Sequence, residues 1–368
     1  MAELNQTPSG MRIHIGFFGK TNSGKSTLIN ALAGQEVSIV SPEPGTTTDP
    51  VYKAMEIAPI GPCMLIDTAG LMDETTLGEV RREKTEKVAE VCDVAVIVSE
   101  EDEPVGMQGL IDVFNRNHTT IIYACGQKRD DIDSIRKNII EAARKVSEPD
   151  LLRGMVSPGD LVMLVMPQDK QAPKGRLILP QVTTLRSLLD VHARTICVTP
   201  EEMESALEEL KSPPKLIITD SQVFDYVFKR TPEKSKLTSF SVLYAGLKGD
   251  VSVYTRGAEA MEQLKPGDTV LVAESCTHAP MEEDIGREKI PAMLRKQVGG
   301  DIFVEIVAGK DFPEDLTKYN MILQCGGCMA NRRQIMNRIR MAEEQGVPIT
   351  NYGIAIAWLK GILGKIER

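Results

Sequence analysis

The sequence predicts an α/β protein in three parts. A P-loop nucleotide-binding domain spans 1–150. Two small, mostly parallel α/β domains follow over 151–260 and 261–368, and they read as a diverged duplication. Three observations carry this. Gly19-Lys20-Thr21-Asn22-Ser23-Gly24-Lys25-Ser26 matches G-x-x-x-x-G-K-[ST], between an apolar run, Arg12–Phe18, and a helical run, Thr27–Leu32. Pro-Gly-Asp leading into an apolar strand occurs at Pro158-Gly159-Asp160 and again, 108 positions later, at Pro266-Gly267-Asp268. After each copy helical and strand-like runs alternate, as parallel sheets require.

Bulk properties narrow the function classes. The net charge of −9 argues against a broad nucleic-acid-binding surface. No apolar run reaches the roughly 18–20 residues of a membrane span. The start, Met1–Gly10, is polar and lacks a signal-peptide core, so a cytoplasmic, reducing compartment is expected. There, clustered cysteines bind metal more often than they form disulfides. Of seven cysteines, Cys63, Cys92, Cys125 and Cys197 sit singly in apolar surroundings and read as core residues. Cys276, Cys325 and Cys328 are left.

In the first domain, loop N–H groups and the following helix N-terminus suit phosphates. Lys25 is predicted to reach the β- and γ-phosphates and Ser26 to offer its hydroxyl to Mg²⁺. Gly45-Thr46-Thr47-Thr48-Asp49 is a threonine loop able to sense the γ-phosphate and Mg²⁺. In Leu65-Ile66-Asp67-Thr68-Ala69-Gly70, Asp67 ends a strand where it can hold the Mg²⁺ shell, and the Gly70 N–H can bond the γ-phosphate. A strand at Ile121–Cys125 leads to Gln127-Lys128-Arg129-Asp130, similar to the guanine-reading Asn-Lys-x-Asp with Gln for Asn. Asp130 can accept from the guanine N1 and N2 donors.

These four elements in order resemble the translation-factor-like GTPases of the TrmE–Era group, so the first part reads as a P-loop GTPase domain. The resemblance implies GTP held by Gly19, Asn22, Ser23, Gly24, Lys25, Ser26 and Thr27, with Thr46 and Thr47 from the threonine loop and Gln127, Lys128 and Asp130 at the base. It implies Mg²⁺ on Ser26 and Thr47, a K⁺ beside Asn22, and Lys25, Asp67 and Gly70 serving hydrolysis. Leu71 stands where many relatives place a water-orienting glutamine, so hydrolysis is expected to be slow. Only one helix, Ile132–Val146, precedes the next domain, and no strand with a Ser-Ala loop is found. The domain therefore reads as shortened on that side.

In the two copies, helices are predicted at Pro180–Val191 and Ile290–Val298, and strands at Lys215–Thr219 and Tyr319–Leu323. Closing apolar strands are predicted at Ser239–Tyr244 and Pro348–Ala357. Aligning the copies sets Gln168 on Cys276 and Asp220 on Cys325. The first copy carries no chemical constellation. His192, its one histidine, reads as a surface or satisfied core residue, and the expected role of this copy is packing and homodimerisation.

In the second copy, Cys325-Gly326-Gly327-Cys328 presents two thiolates from a tight turn and Cys276 adds a third. Three thiolates suit an iron–sulfur site with one iron open. Zinc and a redox dithiol are open alternatives for the same residues, the zinc reading going with an RNA-acting GTPase.

The whole pattern resembles the HydF family, the GTPase scaffolds of [FeFe]-hydrogenase maturation. It comprises the TrmE–Era-like P-loop, the middle run Ala172–Gln181, Cys276-Thr277-His278, Cys325–Cys328 and Pro348–Gly353, and it covers essentially the whole chain. The resemblance implies a [4Fe–4S] cluster on Cys276, Cys325 and Cys328. It implies an open site carrying a two-iron, CO- and cyanide-bearing precursor to the apo-hydrogenase, with two radical-SAM maturases as further partners. The family pattern has His immediately before the Cys-x-x-Cys, whereas Gln324 stands here. His278, Glu274, Glu282, Glu283 or water are the candidates for the remaining position.

Overall fold

The computed structural model describes residues 7–34, 49–70, 76–99, 106–125, 132–146, 149–168, 177–275, 284–309, 311–327 and 329–367. The chain divides into two compact units, Met1–Ser147 with Met329–Asn337, and Glu148–Cys328 with Arg338–Arg368.

The first unit is built on β1 (Ile13–Phe18), α1 (Lys25–Ala33), β2 (Val51–Ile57), β3 (Gly61–Asp67), α2 (Thr76–Ala89), β4 (Val94–Val98), α3 (Gln108–Arg116), β5 (Thr120–Ala124) and α4 (Ile132–Arg144). Its sheet runs β2-β3-β1-β4-β5. All neighbours are parallel except β2, which lies antiparallel to β3. β4 is Val-Ala-Val-Ile-Val and buried throughout, as a central parallel strand covered on both faces must be. Alternate residues feed opposite cores. Ile15, Phe17, Leu65 and Val96 pack on one face, and Phe18, Ile66, Ala95 and Ile97 on the other. There the Phe18 and Phe114 rings meet edge to face with centroids 4.9 Å apart. Among the described residues the sheet has five strands.

The second unit holds two more sheets. The first uses β6 (Leu161–Val165), α5 (Leu179–Asp190), β7 (Arg194–Val198), α6 (Met203–Glu208), β8 (Leu216–Thr219), α7 (Phe224–Phe228), β9 (Lys236–Ser239) and α8 (Phe240–Lys248). The next uses α9 (Val251–Glu259), β10 (Thr269–Ala273), α10 (Ile290–Val298), β11 (Phe303–Val307), β12 (Met321–Gln324), α11 (Arg332–Glu344, of which the part from Arg338 belongs to this unit), β13 (Ile349–Asn351) and α12 (Tyr352–Leu359). Their orders, β7-β6-β8-β9 and β11-β10-β12-β13, are the same, and every pairing is parallel. The repeated Pro-Gly-Asp turns also agree. Asp160 Oδ2 accepts from Ser157 N at 2.7 Å, and Asp268 Oδ2 from Lys265 N at 2.8 Å.

Three sequence expectations are corrected. The closing strands end early, at Ser239 and Asn351, and the apolar residues beyond them form α8 and α12. Both final strand residues are N-caps: Ser239 Oγ accepts from Val242 N at 3.3 Å and Asn351 Oδ1 from Ile354 N at 2.9 Å. No loop separates the two elements, because each strand passes directly into a largely buried helix. The edge strands β7 and β11 were not foreseen. Arg194, Cys197, Phe303 and Glu305 are exposed on them, and the polar Arg194, Thr195 and Glu305 break the apolar pattern that would mark a strand. Finally, Cys63 and Cys92 are buried, but Cys125 is half-buried and Cys197 is exposed on edge strand β7, so neither of these two is a core residue.

Candidate functional site

The nucleotide-binding elements meet at the carboxyl end of β1. Pairing of Phe17 with Asp67 sets the end of β3 beside the loop that follows β1. Ser26, in the first turn of α1, donates its hydroxyl to Asp67 Oδ2 at 2.6 Å. The sequence separates these residues by 41 positions, and the sheet register brings them together. Two adjacent hard oxygen donors fit a Mg²⁺ ion. Gly24 caps α1 with φ of 88° and offers no side-chain acceptor, so the helix N-terminus keeps donors for an anion. Ser23 Oγ is buried without a protein hydrogen-bond partner in the same loop. Asn22 is exposed, with φ of 63°.

Lys25 is buried and donates to the carbonyls of Gly19 at 3.2 Å and Lys20 at 2.8 Å. Burial lowers its ammonium pKa to about 8, while the Asp67 carboxylate pushes it back up. Gly70 lies flat against the loop. A Cβ there would come within 2.6 Å of the Thr21 backbone, so only glycine permits this approach. The described residues thus bring together Gly19, Asn22, Ser23, Gly24, Lys25, Ser26, Thr27, Asp67 and Gly70. Thr46, Thr47, Leu71, Gln127, Lys128 and Asp130 lie outside them.

The second candidate site is the carboxyl edge of β10 and β12. Parallel pairing sets Ala273 beside Gln324, and Cys325 N donates to Ala273 O at 3.0 Å. The Cys325 sulfur accepts from the Ser275 N–H at 3.0 Å and from Gln324 Nε2 at 3.5 Å, and its S–H donates to the Ser275 hydroxyl at 3.3 Å. N–H groups directed at a sulfur suit a metal-ligating cysteine. Ser275 is followed by Cys276 in the chain, so the third predicted thiolate belongs to a residue bonded to this same edge. The Tyr352 hydroxyl is buried with no protein hydrogen-bond partner. Burial raises its pKa, and the nearby charges of Cys325, Glu274 and Asp284 raise it further. A sulfur that accepts two N–H bonds fits a metal-ligating cysteine. Of the predicted cluster residues, Cys276, His278 and Cys328 lie outside the described residues, as do Glu282 and Glu283.

Glu274, a candidate for the open position, and Gln324, which stands at the family's His position, are both otherwise engaged. Both carboxylate oxygens of buried Glu274 are taken by Arg287, at 3.0 and 2.6 Å. The Gln324 side chain is fully buried, and its carbonyl oxygen accepts from Arg338 Nη1 at 2.9 Å. Sequence reasoning assigned no role to Arg338, Arg287, Ser275 or Tyr352. Only Arg338 left a trace. It occupies the buried stripe of α11 between Ile335, Ile339 and Ala342, where an arginine needs a partner.

Comparisons with known proteins follow this division. A model described as the hydrogen maturase F dimerization domain matches 151–249, and one described as its tetramerization domain matches 252–367. A model described as a 50S ribosome-binding GTPase matches 14–145. GTPase Der of Wolinella succinogenes is 37% identical over 123 residues, 31% of this chain and 25% of that protein. The tRNA modification GTPase MnmE of Bordetella petrii is 39% identical over 93 residues, 25% of this chain and 20% of that protein. The chain therefore spans a quarter or less of the length of these two relatives. A crystal structure of Era from Aquifex aeolicus with GDP and aluminium fluoride aligns over 89% of this chain and 97% of its own, at 15% identity and a TM-score of 0.27. No described helix is long and apolar enough to cross a membrane.

Proposed function

The chain belongs to the hydrogen maturase F family, whose dimerization and tetramerization domain models take 151–249 and 252–367, and from that premise we propose that it is a GTP-hydrolysing scaffold and carrier in [FeFe]-hydrogenase maturation. The observation that carries the reading is the Cys325 sulfur held among N–H donors at the edge that leads into Cys276.

In this reading 1–150 binds GTP, 151–260 dimerises and 261–368 holds the cluster. The P-loop grips the phosphates through Lys25 and the N-terminus of α1. Ser26 and Thr47 hold Mg²⁺, with Asp67 in its outer shell, and the Gly70 N–H senses the γ-phosphate. Exposed Asn22 offers its side-chain oxygen to a K⁺ that supplies positive charge beside the phosphates. Turnover is slow because Leu71 cannot orient water. Gln127, Lys128 and Asp130 read guanine. Cys276, Cys325 and Cys328 hold a [4Fe–4S] cluster, whose open iron supplies a site for the di-iron precursor. Radical-SAM maturases build that precursor and the cytoplasmic apo-hydrogenase receives it.

Anaerobic reconstitution with ferrous iron and sulfide tests the reading. About four irons per chain with an iron–sulfur EPR signal are expected, lost in Cys325→Ser. A colourless protein that retains zinc instead would overturn it. Lys25→Ala is expected to abolish GTP turnover and leave the iron content unchanged. Exchange of K⁺ for Na⁺ is expected to slow hydrolysis, and an indifferent rate would remove the role of Asn22.

A further inference from the structure

The cluster edge carries a hydrogen-bond chain whose direction is fixed at its far end. Arg338 is buried on α11, 3% exposed. Its Nη1 reaches Gln324 at 2.9 Å and its Nη2 donates to the Gly309 carbonyl at 2.6 Å. A guanidinium has donors and no acceptor, so the Gln324 atom it meets is the carbonyl oxygen. This settles the orientation of the amide. Nε2 turns the other way, toward Ser275 Oγ at 3.1 Å, the Cys325 carbonyl at 3.3 Å and the Cys325 sulfur at 3.5 Å. Oε1 is the one atom through which a glutamine ligates a metal. It is consumed by Arg338, while the side chain has no exposed surface through which to swing out.

We propose that Gln324, oriented by Arg338, is a positioning residue that donates an N–H to the Cys325 sulfur and takes no place among the iron ligands. This rests on the cluster reading above and deepens it. A cluster gains one negative charge when it accepts one electron. N–H groups directed at a ligating sulfur stabilise that added charge and raise the reduction potential. Two N–H donors, from the Ser275 backbone and the Gln324 amide, converge on this sulfur, and Gln324 is the one whose removal leaves the backbone intact. Arg338 acts at one remove. With it gone the amide is free to rotate, its oxygen can face the sulfur, and the donor is lost.

The test is an EPR-monitored redox titration of the full-length protein reconstituted with ferrous iron and sulfide. Gln324→Glu retains the shape of the side chain and its bond to Arg338 but presents no N–H to the sulfur. It is expected to retain wild-type iron content and to shift the midpoint to a more negative potential. Arg338→Met is expected to shift it in the same direction, and Arg338→Lys, which retains a donor to Oε1, to restore it. Imidazole added to the reconstituted protein reports on the open iron. Its EPR perturbation is expected to be equal in wild type and Gln324→Leu. An unchanged midpoint in Gln324→Glu with iron intact would overturn the proposal. So would stronger imidazole uptake in Gln324→Leu, the mark of a lost ligand. If Gln324→Leu fails to fold, the Gln324→Glu midpoint still decides. Absence of an iron–sulfur signal from the wild type overturns the cluster reading itself, a result distinct from either of these.

Discussion

At the end of the strand beside the first strand of each repeat, Thr219 and Asp220 stand in one sheet where Gln324 and Cys325 stand in the other. The flanking caps correspond too, Ser239 with Asn351. In the first sheet the polar groups satisfy one another locally. Thr219 Oγ1 donates to Val165 O at 3.1 Å, Asp220 Oδ1 accepts from Gln222 N at 3.0 Å, and a hydroxyl chain links Ser221, Ser241 and Ser239. In the second sheet the same positions reach outward, to Arg338 and to a sulfur. Strand order and register are indifferent to this contrast. The scaffold places a ring of residues at one carboxyl edge, and a few side-chain identities decide whether that edge closes on itself or stays poised for a ligand.

Four predictions bear on this contrast. The largest effect is expected from matched serine substitutions. Cys325→Ser abolishes iron retention after reconstitution, while Asp220→Ser leaves it unchanged. Iron loss in both would mean that the first sheet shares the site. Next, Arg338→Met leaves the Gln324 oxygen buried without its donor and is expected to cost about 1–3 kcal/mol. Thr219→Val removes one bond in the first sheet and is expected to cost about 1 kcal/mol. Urea unfolding of the two variants compares them, and equal costs would break the contrast. Third, Ser239→Ala and Asn351→Ala remove corresponding caps and are each expected to cost about 1 kcal/mol, because here the sheets are alike. A large difference in thermal unfolding would mark one cap as part of a site.

The smallest effect sets the nucleotide unit against both sheets. Phosphate binding favours the protonated Lys25, whose pKa lies near 8 without nucleotide. Affinity is therefore full below that pH and declines as pH rises through it, about threefold between pH 7.5 and 8.5. GDP titrations measure this. Lys25→Arg, charged throughout, is expected to lose the break, and a flat wild-type profile would remove the argument. Iron content of the second sheet is expected to stay constant over the same range.

The P-loop, the repeated Pro-Gly-Asp turns and the Cys-x-x-Cys were legible because each is a short contiguous pattern with a local physical cause. The edge strands β7 and β11 were not, because Arg194, Thr195 and Glu305 interrupt their short apolar segments. The sequence also hid where strand becomes helix at Ser239 and Asn351, since buried residues stand on both sides of each junction. At the site, the sequence named the sulfur of Cys325 but offered Glu274 as a ligand whose carboxylate Arg287 already holds.

By itself, then, the sequence determined the three-part α/β organisation, the phosphate-binding loop and the candidate thiolates, because spacing along the chain is enough to specify a turn, a loop or a repeat. Tertiary structure alone decided that Ser26 meets Asp67, that Arg287 holds Glu274 and that Arg338 turns the Gln324 amide toward the sulfur. Contacts between residues distant in the chain are set by strand register and helix packing. The polarity of a buried amide is set by its partner, and no local pattern encodes which partner that will be.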